Sequence, residues 1–114
     1  MKYALLIYSK AETGDHEGRS EDEQRALLDE YLELQRAPGV LAAQALQPVR
    51  SATVVRVENG EALLSDGPFI EAKEHLGGFY LVEADNLDQA TAIAARIPAA
   101  RMGGAIEVRP IAEH

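Results

Sequence analysis

Five ionisable side chains lie within residues 66–75, namely Asp66, Glu71, Lys73, Glu74 and His75. Carboxylates, an ammonium group and an imidazole this close together in sequence are groups that can move a proton to or from a substrate. We therefore take Asp66, Glu74 and His75 as candidate catalytic residues. Asp66, Glu71 and Lys73 are the candidates for binding a small polar molecule at the rim of a pocket.

The same residues also have a purely structural interpretation. Asp66 precedes Gly67-Pro68, and an aspartate at this place in a tight turn accepts hydrogen bonds from nearby backbone N–H groups. The charged residues that follow it then form a solvated surface turn, whose ion pairs contribute little to stability. The sequence leaves both interpretations open.

Two tyrosines are candidates for lining the same pocket. Tyr8 ends an apolar segment that is predicted to be the first strand, and Tyr31 lies on the helix predicted to follow it. Aromatic rings line many small-molecule pockets, so we count Tyr8 and Tyr31 as candidate ligand-binding residues. Packing in the hydrophobic core is the alternative role for both rings.

We predict no metal site and no cofactor. His16 lies near Glu12, Asp15 and Glu17, and imidazole and carboxylate groups do ligate metals. A single imidazole with no second histidine at a fixed spacing is nevertheless a weak metal motif. The absence of cysteine excludes disulfide bonds, thiolate zinc sites and cysteine nucleophiles.

The net charge of the chain limits the classes of partner that it can bind. Its 19 acidic and 11 basic side chains leave a formal net charge of −8, which repels phosphate backbones and anionic membranes. No apolar run approaches the length of about 20 residues that spans a bilayer. The first eight residues lack the length and the cleavage site of a signal peptide. We therefore expect a cytoplasmic protein that binds neither nucleic acid nor membrane.

Hydrophobic periodicity predicts two helices and four longer strands in one domain of 114 residues. Ser20 followed by Glu23 is a capping box that begins the first helix, and Asn86 with Gln89 is an N-cap pattern for the second. The strands are predicted at residues 2–8, 40–46, 78–84 and 105–109.

A hairpin is predicted between the second and third of these strands. Asn59-Gly60 separates two β-branched or apolar runs, residues 53–57 and 61–64, and both turn residues tolerate positive φ. After the break at residues 66–68, residues 69–76 are predicted to form one short helical turn. The order β-α-β, hairpin, β-α-β indicates an α+β fold of the ferredoxin-like, split βαβ type with an antiparallel sheet and an inserted β-hairpin.

Two helices cover only one face of such a sheet, whereas residues 2–8 and 78–84 are apolar on both faces. A second copy of the sheet is the simplest cover for the other face. We therefore predict a homodimer with the two sheets packed face to face. The alternative is a monomer whose outer sheet face is merely rich in alanine and leucine.

Residues 66–80 read DGPFIEAKEHLGGFY, which closely resembles the signature of the YCII-related, DGPF-type domain family. The resemblance extends over residues 1–114, including the opening KYALLIY and the closing GGAIEVRP. It implies a single domain with the dimeric α/β-barrel architecture. It implies little about chemistry, because fold similarity alone does not carry a reaction.

One departure from the family pattern concerns a proposed catalytic pair. Shorter YCII-like relatives carry a histidine on the first helix and an Asp-Pro pair after the second. Here the predicted first helix contains no histidine, and Arg96-Ile97-Pro98 has no aspartate before its proline. An activity that depends on this pair is therefore not carried over to this chain.

The sequence thus predicts a small dimeric domain that binds a polar metabolite in a cleft between sheet and helices, with acid–base catalysis as an added activity. Gly77-Gly78 is expected to allow either a bend or a close approach of two backbones before the strand. The alternative is an interaction protein. Many members of the family that this chain resembles are encoded beside extracytoplasmic-function sigma factors, which implies a partner in transcription regulation.

Overall fold

The computed structural model describes residues 1–10, 19–70 and 72–114. Two helices, six strands and two short 3₁₀ turns occur in these ranges. The helices are α1 (Glu21–Gln35) and α2 (Leu87–Ala95), and the 3₁₀ turns are Val49–Ser51 and Pro98–Arg101. The strands are β1 (Lys2–Ser9), β2 (Val40–Ala45), β3 (Thr53–Glu58), β4 (Glu61–Asp66), β5 (His75–Glu83) and β6 (Ala105–Pro110).

The main sheet has the strand order β2-β5-β1-β6, and all its neighbouring strands are antiparallel. This is the ferredoxin-like order, in which the two βαβ halves interleave so that β1 and β5 occupy the centre. Strands β3 and β4 form a separate two-stranded sheet, which is the inserted hairpin. The predicted fold is therefore confirmed.

The local signals at the helix ends are also confirmed. The Ser20 hydroxyl accepts a hydrogen bond from the Glu23 backbone N–H at 3.1 Å, and the Glu23 carboxylate accepts one from the Ser20 N–H. At the start of α2, Asn86 Oδ1 accepts from the Gln89 N–H at 2.9 Å. These bonds satisfy N–H groups that the first helical turn leaves without a partner.

The core lies between the helices and one face of the sheet. Alternate residues of the central strands, Tyr3, Leu5 and Ile7 on β1 and Tyr80 and Val82 on β5, are buried there. Helix α2 packs against β6 and α1 packs against β2, so together the helices cover this face from edge to edge. From the helices and the turn after α2, the buried side chains are Leu34, Ala90, Ala94, Ile97 and Ala99.

The opposite face of the sheet, which we call the open face, has no helix over it among the described elements. Cross-strand pairing places Ala4 next to Leu81 and Leu6 next to Phe79 on this face, and all four side chains are partly exposed. The central strands are therefore apolar on both sides, as their sequences indicated.

The hairpin projects from the domain with little burial. Val55 and Leu64, which face each other across the two strands, are 59% and 68% exposed. The stem is closed by the backbone, since the Gly67 N–H donates to the Ala52 carbonyl at 2.8 Å. The Arg56 guanidinium lies 4.9 Å from the centre of the Phe69 ring, a cation–π contact that joins the hairpin to the segment after it.

The helical turn predicted over residues 69–76 is wrong for the part of this segment that the structure describes. Residues 69, 70, 73 and 74 are bends without helical hydrogen bonding, and β5 already begins at His75. Strand β5 is longer than predicted because Ser9 and Tyr8 of β1 extend the antiparallel pairing to His75 and Leu76. Pairing across the sheet thus outweighs the local preference of these residues.

No helix in the described ranges is both long and apolar enough to cross a membrane.

Candidate functional site

A cleft of about 690 Å³ lies between α1 and the covered face of the sheet. This volume is within the range of about 300–1,000 Å³ typical of small-molecule sites. Side chains from α1, β1, β2, β5 and the turn after α2 contribute to its walls. The apolar and aromatic lining residues are Ile7, Leu27, Leu28, Tyr31, Leu32, Ala43, Ala45, Tyr80, Ala99 and Met102.

The cleft exists because α1 is attached to the domain mainly through its C-terminal half. Leu34 is the one buried residue of this helix, and the Tyr80 hydroxyl donates a hydrogen bond to the Tyr31 carbonyl at 2.8 Å. The N-terminal half stands away from the sheet, so that Leu28 faces the cleft and is 56% exposed. The strand positions across from it are small, Ala43 and Ala45 among them, and do not fill the space.

An ion pair adds a second attachment for α1. The two terminal guanidinium nitrogens of Arg101, Nη1 and Nη2, donate to the carboxylate of Glu30, at 2.6 and 2.7 Å. These hydrogen bonds hold the pKa of Glu30 below its ordinary value, with a further contribution from the positive charge of Arg101. Because both side chains are exposed, the pair orients α1 on the 3₁₀ turn and adds little to global stability.

Two glycines bring backbone close to backbone along the cleft wall. A Cβ atom on Gly78 would lie 2.7 Å from the Gln44 carbonyl oxygen. A Cβ atom on Gly104 would lie 2.5 Å from the Tyr8 carbonyl oxygen and 3.0 Å from that of Ala99. The distances of 2.7 Å at Gly78 and 2.5 Å at Gly104 are shorter than real Cβ contacts, so only glycine fits at either position without a shift of the backbone. The expectation for Gly77-Gly78 is confirmed at Gly78.

Two tyrosine hydroxyls lie at the cleft. Burial raises the pKa of Tyr80 to about 12 and raises that of Tyr31, the latter opposed in part by a hydrogen bond from the Ala99 backbone and by the positive charges of Arg101 and Arg19. Both phenols are therefore neutral hydrogen-bond donors near pH 7. The Tyr80 hydroxyl donates its hydrogen to the Tyr31 carbonyl, and Tyr31 itself lines the cleft.

The charged segment singled out in the sequence lies elsewhere. Asp66 ends β4 and is exposed, Lys73 and Glu74 are exposed in the bends before β5, and His75 is the first residue of β5. None of these four residues lines the cleft. Glu71 lies outside the described residues, as do Glu12, Asp15, His16 and Glu17. The catalytic and binding roles of the 66–75 segment stay predictions.

The two tyrosines predicted to share a pocket lie on opposite sides of the sheet. Tyr31 lines the cleft. Tyr8 pairs with Ala105 and follows the alternation of β1 onto the open face, together with Leu6. The alternation of a strand decides this outcome, because Ile7 takes the position that faces α1.

The polar residues of the cleft were not foreseen from the sequence. Ser9 and Lys10 follow the buried part of β1, Arg19 precedes the α1 N-cap, and Gln35 and Gln44 lie on α1 and β2. None belongs to a motif, and each is remote in sequence from most of the others. The signal that was available is the alternation of β1, which sends Ile7 and Ser9 to the same side.

Comparison with known proteins places the chain in a family. The family model described as the YCII-related domain matches residues 1–114. An uncharacterised protein of Rhizobium meliloti (strain 1021) is 35% identical over 118 aligned residues, which cover 98% of this chain and 93% of that protein. The match spans both βαβ halves, the hairpin and every wall of the cleft. The chain belongs to the YCII-related domain family.

Proposed function

We propose that this protein is a binding domain that holds a small organic molecule in the cleft between α1 and the sheet. The observation that carries the proposal is the cleft itself, about 690 Å³ in volume and lined mainly by apolar side chains with a few polar groups. This combination is typical of small-molecule sites, where apolar walls supply affinity and the polar groups orient the ligand. The lining favours a molecule with an apolar body over the small polar metabolite that the sequence suggested.

Acid–base catalysis receives no comparable support. In the part of the chain that the structure describes, no carboxylate or imidazole lines the cleft. The candidates Asp66, Glu74 and His75 do not line the cleft. We therefore propose binding as the function and make no assignment of a reaction.

The proposal can be tested with a neutral fluorescent probe, N-phenyl-1-naphthylamine, whose emission rises in apolar surroundings. Wild-type protein is expected to bind it saturably with one probe per chain. Leu28→Glu places a charge on the apolar wall and is expected to weaken binding by about tenfold or more, because burying that carboxylate beside the probe costs free energy. Leu87→Glu is the matched control, since Leu87 is also a helical leucine, is 52% exposed and lies outside the cleft.

Two results would refute binding in the cleft. The first is the absence of saturable probe binding to the folded wild-type protein. The second is an equal loss of affinity in the Leu28→Glu and Leu87→Glu variants, which would place the probe on another apolar surface. Thermal melts of both variants establish that each one is folded.

We also propose that the open face is covered by a second copy of the chain. Its centre is apolar, formed by Ala4 and Leu6 of β1 and by Phe79 and Leu81 of β5, and such a patch is a common mark of an interface. Its charged residues balance, because strand pairing puts two cations and two anions on this face. These are Lys2, Glu83, Glu107 and Arg109. A face without net charge, in a chain of net charge −8, can meet its own copy without like-charge repulsion.

Sedimentation velocity at low micromolar concentration tests this assembly. The wild-type protein is expected to sediment as a dimer and Leu81→Glu as a monomer, because the substitution puts a carboxylate at the centre of the apolar contact. Leu64→Glu, on the exposed hairpin, is expected to remain dimeric. A monomeric wild type, or a dimer that persists in Leu81→Glu, would overturn the assembly and leave the cleft proposal to its own test.

A further inference from the structure

The charged residues of the cleft are both cationic. Lys10 immediately follows β1, and Arg19 immediately precedes the N-cap of α1. Among the residues that the structure describes, no aspartate or glutamate lines the cleft. The chain as a whole has 19 acidic and 11 basic side chains, so the charge on the described walls of the cleft is opposite in sign to that of the protein.

A neutral hydrogen-bond donor, the Tyr31 hydroxyl, belongs to a residue that lines the same cleft as Arg19. Burial raises the pKa of this hydroxyl, a hydrogen bond from the Ala99 backbone and the positive charges of Arg101 and Arg19 lower it, and the negative charge of Glu30 raises it. Near pH 7 the phenol keeps its proton, and it can donate a hydrogen bond to an anion that Arg19 attracts.

The remaining walls have a different chemistry. Leu27, Leu28 and Leu32 of α1 and Met102 beyond the 3₁₀ turn offer aliphatic surface and a polarisable thioether. Ala43 and Ala45 on β2 offer flat space across from them. A planar apolar group fits such walls because it gains contact area without needing hydrogen-bond partners.

Building on the proposed function, we propose that the cleft selects an organic anion, a small molecule with an apolar body of about one or two rings that carries a carboxylate. The carboxylate is bound by Lys10 and Arg19 and accepts a hydrogen bond from Tyr31. The body lies between α1 and β2. In a protein of net charge −8, this pair of cations gives the site its preference for an anion over the neutral molecule of the same shape.

An isosteric pair of competitors tests this preference. Naphthalene-2-carboxylate and naphthalene-2-carboxamide have nearly the same shape and differ in charge, and each is titrated against bound N-phenyl-1-naphthylamine. In the wild-type protein the carboxylate is expected to displace the probe at a concentration about tenfold lower than the amide, as two partly exposed charge contacts would give. This advantage is expected to shrink as salt is added.

The variant Lys10→Gln/Arg19→Gln is expected to remove the advantage of the carboxylate over the amide, with both competitors measured against probe bound to that same variant. Arg50→Gln/Arg96→Gln is the matched control, because it removes two exposed positive charges that do not line the cleft. This control is expected to keep the wild-type ratio of the two displacement concentrations. A thermal melt of each variant shows that it is folded.

The outcomes separate the two proposals. Probe binding that depends on Leu28, with equal displacement by carboxylate and amide, overturns the anion preference and leaves the binding function standing. The same holds if the carboxylate keeps its advantage in Lys10→Gln/Arg19→Gln, or if the control variant loses it equally. A wild-type protein that binds no probe overturns the binding function itself.

Discussion

Substituting alanine for Gly78 should destabilise the protein, whereas the same change at Gly77 should not. The new methyl group at position 78 would lie 2.7 Å from the Gln44 carbonyl oxygen and 3.4 Å from the Ala45 Cα. Both atoms belong to the backbone of β2, so relief requires a shift of the strand, and overpacking of this kind costs about 1–3 kcal/mol. Losing a glycine from the unfolded chain returns about 0.4–1 kcal/mol. We expect a net loss of about 1–2 kcal/mol.

Gly77→Ala is the matched control. It lies next to Gly78 on the same strand, its φ is not positive, and its new methyl group would meet atoms only at 3.9 and 4.0 Å. We expect it to stabilise the fold by about 0.4–1 kcal/mol through the unfolded state alone. The two variants therefore differ in sign although the chemical change is identical.

Thermal unfolding at a fixed protein concentration measures both effects. A chain of 114 residues has an unfolding entropy near 0.24 kcal/mol/K, so each kcal/mol changes Tm by about 4 °C. Gly78→Ala is expected to melt about 4–8 °C below the wild type and Gly77→Ala about 2–4 °C above it. Equal shifts in the same direction would refute the argument, because they would mean that the approach of β2 to Gly78 is not a constraint.

Two further predictions concern the attachments of α1. Tyr80→Phe removes the hydrogen bond to the Tyr31 carbonyl and should cost about 1 kcal/mol near neutral pH. Burial raises the pKa of Tyr80 from 10.0 to about 12. The wild type is therefore expected to keep its full stability advantage over Tyr80→Phe below pH 10 and to lose it as the pH rises towards 12. Urea unfolding in alkaline buffers should show the difference in unfolding free energy between the two proteins decreasing. Glu30→Gln removes the negative charge and one of the two oxygens that accept hydrogen bonds from Arg101, and these bonds lower the pKa of Glu30 below its ordinary 4.5. The wild type should therefore have a higher Tm than this variant at neutral pH, and the difference in Tm should disappear as the pH is lowered below 4.5. A difference in Tm that persists in acid would contradict the ion pair.

The fold was predictable because its signals are local and consistent with one another. The capping bonds of Ser20 and Asn86 follow from residues three positions apart, and Asn59-Gly60 forms the expected hairpin turn, with Asn59 at φ 51°. The apolar residues at successive positions of β1 are sufficient to predict two apolar faces, without knowledge of its partner strands. Each of these features depends on residues close in sequence, where spacing and chemistry together leave few alternatives.

The site was harder to predict because its residues come from distant parts of the chain. Five ionisable residues in one short segment suggest a catalytic site. In the structure, however, Asp66 is the last residue of the projecting hairpin and His75 is the first residue of β5. Lys10 and Arg19 belong to no motif and reach the cleft because β1 and α1 bring them there. Alanine and glycine have no side-chain group that would mark a binding or catalytic site in a sequence, although here they shape the cleft by leaving space.

The scarcity of large side chains accounts for the cleft and the open face together. Aromatic residues are 5% of the chain, and α1 buries only Leu34. Larger residues at Ala43 and Ala45 would close the gap beneath α1, and each would bury apolar area worth about 25 cal/mol per Å². The protein leaves that stabilisation unused, as expected if the cleft serves the proposed binding function. With so few large side chains, a single copy of the chain has a small hydrophobic core. A second sheet packed on Leu6 and Leu81 would add apolar contact area. It would not fill the cleft, because the two surfaces lie on opposite faces of β1 and β5.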